Sequence, residues 1–253
     1  MSIELGTVTA TVTNGVATIC FFHPRSNSLP GALLRKIAAA IDEAGADSSV
    51  KVVVLKSDGD KAFCAGASFD ELCAVKNLDE ARYFFSGFAT LILAMRRCPK
   101  FVICRVQGKA AGGGVGVAAA ADYTLATKGA SARLSELAIG IGPFIIGPAV
   151  ERKIGAAAFG EMAIDADWRD ATWAKARGLY VEIFENTAEL DAAVEAMATK
   201  LAGYHEAAMR KLKAVLWEGT DHWPELLPAR AAITGELALT EFVQTTVARL
   251  QGR

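Results

Sequence analysis

The stretch KAAGGGVGVAAAADYTLA, residues 109–126, decides how this chain folds. It carries four glycines (Gly112, Gly113, Gly114 and Gly116) where a strand gives way to an apolar helix. A glycine inside a helix makes it roughly 1 kcal/mol less stable than alanine would. A cluster therefore signals that something must come close to the main chain. Two causes fit: a ligand atom meeting a backbone amide, or close packing of the helix on a strand.

Outward from this stretch, strands and helices alternate. KFVICRVQ (100–107) and VKVVVLKS (50–57) read as buried strands. TVTATVTNGVATICFF (7–22) reads as a hairpin, because β-branched residues flank Asn14-Gly15, a strong two-residue turn signal. A helix can begin at Pro30, with Leu33, Leu34, Ile37, Ala40 and Ile41 at helical spacing. Phe84, Phe88, Leu91, Ile92 and Met95 mark a longer helix between Asp79 and Cys98. DYTLAT (122–127) is a further strand, and another helix is expected from about Ile145. Beyond about Thr187 strand signals stop. Leu190, Val194, Met197 and Leu201 form one helical stripe; Leu212, Val215 and Leu216 belong to a second, and the tail from Trp223 reads as helix interrupted at Pro228. The pattern predicts an α/β core followed by a helical C-terminal region.

Composition narrows the chemistry. With 52% apolar and 22% charged residues over 253 positions, the chain is globular and long enough for a large core. A net charge of −1 offers no general attraction to nucleic acid or to an anionic membrane. The five scattered cysteines suit reduced thiols in the cytoplasm, and the N-terminus lacks a secretory pattern. His23, His205 and His222 show no metal-ligand spacing, so no metal is expected. Cys64 reads as a small buried residue before a nucleophile, since no histidine is placed to activate it. Gly114 to Ala119 fits G-x-G-x-x-A, but the acidic residue that a dinucleotide site needs on the next strand is absent.

Two loops belong together. FCAGAS (63–68) and AAGGGVG (110–116) each follow a core strand, consist of small residues and lead into a helix. If the two strands are neighbours, each loop could point one amide at a single oxygen, as an oxyanion hole requires.

KAFCAGASFDEL (61–72), VQGKAAGGGVGVAAAADYTLATKGA (106–130) and SELAIGIGP (135–143) resemble, in order and spacing, the core motifs of the crotonase superfamily of enoyl-CoA hydratases and isomerases. NSL (27–29) and ATWAKARGLYVEIF (171–184) extend the resemblance over about residues 10–190. It implies a spiral of ββα turns over residues 1–190 holding the acyl-CoA site. Residues 191–253 would be a helical oligomerisation or lid region, in a homotrimer or dimer of trimers. It also implies catalysis without a prosthetic group, coenzyme A entering as part of the substrate. The amides of Ala67 and Gly113 take the oxyanion role. Arg25 and Lys61 border the nucleotide end of the coenzyme, with Ala65 and Ser68 also at the ligand.

Relatives with two acid/base glutamates carry one at the position of Gly116; here only the second remains, as Glu136. Leu134, Leu137, Ala138 and Ile139 would supply an apolar setting that raises its pKa. One carboxylate suits double-bond isomerisation or hydration. A thioester hydrolase, a decarboxylase and a non-catalytic acyl-CoA binder are the alternatives. Tyr83, Phe84 and Phe144 are candidates for the acyl tunnel, with ordinary core packing the competing role.

Overall fold

The computed structural model describes residues 6–251. Strands β1 (Thr7–Thr13) and β2 (Val16–Phe22) pair antiparallel, from Thr7 opposite Phe22 to Thr13 opposite Val16. Asn14 and Gly15 both take positive φ, 51° and 80°, the turn geometry that follows the twist of paired strands. Pro30 stands at the N-cap of α1 (Gly31–Ala46). The chain continues through β3 (Val52–Ser57), α2 (Phe69–Ala74), α3 (Leu78–Arg97), β4 (Phe101–Val106) and β5 (Ala110–Ala111). Next come α4 (Gly113–Ala120), β6 (Tyr123–Thr127), β7 (Ser131–Arg133), α5 (Gly147–Asp165), β8 (Arg169–Asp170), α6 (Ala171–Ala176) and β9 (Glu182–Phe184). Four helices follow: α7 (Thr187–Ala202), α8 (Glu206–Leu216), α9 (Trp223–Ala238) and α10 (Glu241–Gln251).

The long strands form one sheet in the order β1-β2-β3-β4-β6-β9, parallel beyond the first pair. The short strands form a second sheet, β5-β7-β8, which single bridges between Leu29 and Ala67 and between Cys64 and Ala110 extend. Each turn of the chain thus runs along the main sheet, crosses the small one and returns through a helix. β3 is covered on both faces, which explains its unbroken apolar run. Val53 and Leu55 join the core under α1 and α3, while Val52 and Val54 meet Ile103, Leu125 and Leu190, Val194 and Ala198 of α7.

Two expectations for the helical end change. Leu212, Val215 and Leu216 are 50–57% exposed; the inner face of α8 carries Met209 and Lys213 instead. Lys213 turns inward because it is fully used there. Its Nζ pairs with Asp122 at 2.8 Å and donates to the carbonyls of Met95 (3.0 Å) and Lys100 (2.8 Å). Pro228 does not interrupt α9. The carbonyl it leaves without a helical donor belongs to Pro224, and both prolines are exposed, so water can bond that oxygen. Among the described residues no helix is long and apolar enough to cross a membrane.

Candidate active site

β3 and β4 are parallel neighbours, and the loops that leave them are bonded together. Cys64 N donates to Lys109 O (3.2 Å) and Ala111 N to Cys64 O (2.9 Å). Most amides along these loops have acceptors: Ala65 N bonds Ser26 O, Gly66 N the Cys64 Sγ, Ser68 N the Leu29 carbonyl and Gly112 N the Arg133 carbonyl. Among the described residues the amides of Phe63, Ala67, Gly113 and Gly114 donate to none. The two turns touch, since a Cβ built on Gly66 would stand 3.8 Å from Gly113 N. Ala67 and Gly113 line one cavity. Amides left free in such a place are uncommon, and they offer donors to an acceptor from outside.

Protein atoms by themselves account for the glycine cluster. A Cβ on Gly113 would lie 2.1 Å from the Phe88 ring, on Gly114 2.6 Å from the Cys64 carbonyl oxygen, and on Gly116 2.5 Å from the Ile146 side chain. Gly112 has φ +50° and would press a Cβ to 2.9 Å from Glu136 Oε1. Close packing, the alternative cause, accounts for all four positions.

Glu136 follows β7, whose pairing with β5 brings it over Gly112. The residue as a whole is half-buried, but its Oε2 is fully buried and has no hydrogen-bond partner. Burial pushes the carboxyl up to about 7, against a smaller lowering pull from the amides of Glu136 and Ser135. The apolar setting is not the one expected from neighbouring sequence. Leu137 is 52% exposed and Ala138 is exposed too, so of the four neighbours only Ile139 lines the cavity. The walls come from Phe69 and Leu72 on α2, Phe85 and Phe88 on α3, and the segment Ile141–Ile146. The cavity volume is about 70 Å³.

Of the other candidates, Ala65 lines the cavity. Ser68 is buried as the N-cap of α2, its hydroxyl accepting from Glu71 N. Arg25 is on the surface and pairs with Asp70 at 2.7 Å. Lys61 lies in a separate polar cleft with His23, Asn27, Asp58 and Asp60. Phe144 lines the cavity, Phe84 is in the core, and Tyr83 is exposed with the Arg35 guanidinium 3.7 Å from its ring centre. Cys64 is buried and its thiol is pushed up to about 12 by desolvation, so it is a packing residue. The sequence reading missed Phe85, Ile146 and Thr234 as lining residues. Thr234 arrives from α9, and nothing in its local sequence signals the role.

Comparison with known proteins gives the family and the fold. Residues 11–243 match the family described as enoyl-CoA hydratase/isomerase. Methylglutaconyl-CoA hydratase of Rattus norvegicus mitochondria is 30% identical over 199 residues, which is 77% of this chain; the match spans only 63% of that relative's length. An enoyl-CoA hydratase structure from Bacillus halodurans superposes with a TM-score of 0.88 over 96% of this chain and 99% of its own, at 20% identity. One from Mycobacterium avium subsp. paratuberculosis K-10 gives 0.84 over 97% and 96%, at 26% identity. The fold is the crotonase spiral with a helical C-terminal region, and the chain belongs to the enoyl-CoA hydratase/isomerase family.

Proposed function

We propose that this protein shifts the double bond of an enoyl-CoA between the 3- and 2-positions, with Glu136 as the single acid/base. The observation that carries the reading is a buried carboxylate oxygen without a partner, in the cavity that Ala67 and Gly113 line with unbonded amides. The Glu136 carboxylate removes a proton from C2 of a 3-enoyl thioester. The freed electron pair moves onto the thioester oxygen, where the two amides stabilise it. The carboxylic acid then returns the proton at C4, leaving the double bond at C2. A pKa of about 7 suits a group that must both take and return a proton. Removing one oxyanion donor from such a site typically slows turnover by roughly 10²–10³.

One carboxylate is enough for this reaction, and the space beside Gly116 is filled by Ile146. Hydration is the second reading; it is favoured by the hydratase name of the rat relative. Either reading implies coenzyme A as part of the substrate, with no prosthetic group, in a cytoplasmic homotrimer or dimer of trimers. The exposed Leu212, Val215 and Leu216 on α8 support a further interface.

The test is to follow thioester absorbance with 3-hexenoyl-CoA and with crotonyl-CoA. Growth of the conjugated chromophore from the first is the expected result. Loss of it from crotonyl-CoA gives hydration, and release of free thiol gives hydrolysis. Glu136→Gln is expected to lower turnover by roughly 10²–10⁴. Binding without turnover, or full activity in that variant, overturns the reading.

A further inference from the structure

The wall around the proposed reaction centre also bears on which acyl groups can enter. Beyond the free amides it is built from Leu72, Phe85, Phe88, Ile141, Phe144 and Ile146. Its polar side chains are those of Ser135, Glu136 and Thr234. Thr234 is 2% exposed, and its hydroxyl already donates to Arg230 O at 3.1 Å. Among the described residues no lysine, arginine or histidine lines the cavity. Behind the wall, Arg230 donates from Nη1 to the Phe144 carbonyl at 3.2 Å. Arg230 itself lines a different groove, with Glu151, Arg152 and His222. Among the described residues the one ionisable side chain lining the cavity is therefore an acid.

We propose that this site admits uncharged hydrocarbon acyl groups and excludes acyl groups that carry a second carboxylate, because the cavity holds Glu136 as its one ionisable group within a phenylalanine and isoleucine wall. The inference rests on the proposed function, in that it takes the cavity to be an acyl-thioester site. Two costs act on a dicarboxylic acyl group there. Its carboxylate leaves water for an apolar wall with no cation to pair with. It also brings a like charge beside Glu136, so that one of the two must take up a proton for both to fit. A hydrocarbon tail meets neither cost and gains from burial against the same side chains. The rat relative is named for methylglutaconyl-CoA, whose acyl group is dicarboxylic. The expectation here is that its substrate preference does not extend to this chain.

The test uses two unreactive thioesters of equal carbon count, valeryl-CoA and glutaryl-CoA, with free coenzyme A as reference, in calorimetric titrations at pH 8. Valeryl-CoA is expected to bind at least about tenfold more tightly than glutaryl-CoA. In Glu136→Gln the gap is expected to narrow by about threefold or more, through tighter glutaryl-CoA binding. A ratio below tenfold in the natural protein, with both thioesters binding better than coenzyme A, overturns the exclusion and leaves the proposed function standing. An unchanged gap in the variant overturns the part assigned to Glu136. If neither thioester binds better than coenzyme A, the proposed function fails and the exclusion with it.

Discussion

Two regions of this molecule bury a carboxylate, and they handle it in opposite ways. At the start of β6, Asp122 receives the Lys213 ammonium, the Val102 amide (2.8 Å) and the Trp217 indole N–H (2.8 Å). Lys213 in turn donates to two carbonyls, so both charges are 4–5% exposed yet fully partnered. Beyond β7, Glu136 has a buried oxygen with no partner, and its carboxyl is raised to about 7. The first arrangement fastens α8 to the core and leaves no oxygen for chemistry. The second gives up stability and leaves a buried oxygen unpartnered, on a residue that lines the same cavity as Ala67 and Gly113. An unsatisfied buried acid in a cavity is a candidate for chemistry, whereas a saturated one serves as a joint.

Four substitutions or conditions break or sharpen that contrast. The largest effect on stability is expected from Asp122→Ala, which strands Lys213 in the interior at a cost of about 3–5 kcal/mol. Urea unfolding measures it, and turnover per folded molecule should hold. A loss under about 1 kcal/mol would mean the joint is dispensable.

Next comes the pH dependence of stability. The folded carboxyl of Glu136, at about 7, lies above its ordinary value near 4.5, so between these values the folded state holds a proton that the unfolded chain has lost. Stability from this group is complete below about 4.5 and falls as pH rises through 7, by about 3 kcal/mol in all. Glu136→Gln should flatten that slope and be the more stable protein at pH 8. A variant with the same slope would show that another group is titrating.

Gly116→Ala is smaller. Its methyl meets Ile146 at 2.5 Å, and such overpacking costs about 1–3 kcal/mol, readable as a lowered melting temperature. The smallest effect is expected from Arg25→Ala. Its pair with Asp70 is exposed, so stability should shift by less than about 1 kcal/mol. A rise in KM with kcat held would place Arg25 at the coenzyme.

Much of this was legible in sequence. The hairpin follows from Asn14-Gly15, and the neighbouring strands β3 and β4 from two apolar runs, each ending in a small-residue loop. Glu136 stood out as the one acid in its motif. What misled was orientation. Leu212, Val215 and Leu216 have the spacing of a buried stripe, yet α8 turns them outward because Lys213 finds three acceptors on its other side. Leu137 and Ala138 adjoin Glu136 in sequence but not in its cavity.

By itself, then, the sequence determined the order of elements, the two loops and the acid that can meet between them. These are matters of local conformation and of spacing along one chain, where turn chemistry and apolar periodicity act over a few residues. The tertiary structure alone decided why the glycines are glycines, against Phe88, Cys64 and Ile146, and which walls close the cavity. It also decided that a threonine from α9 reaches a site built almost wholly from the first 146 residues. Packing joins atoms that are far apart in sequence, and volume excluded by one segment leaves no trace in another until the chain is folded.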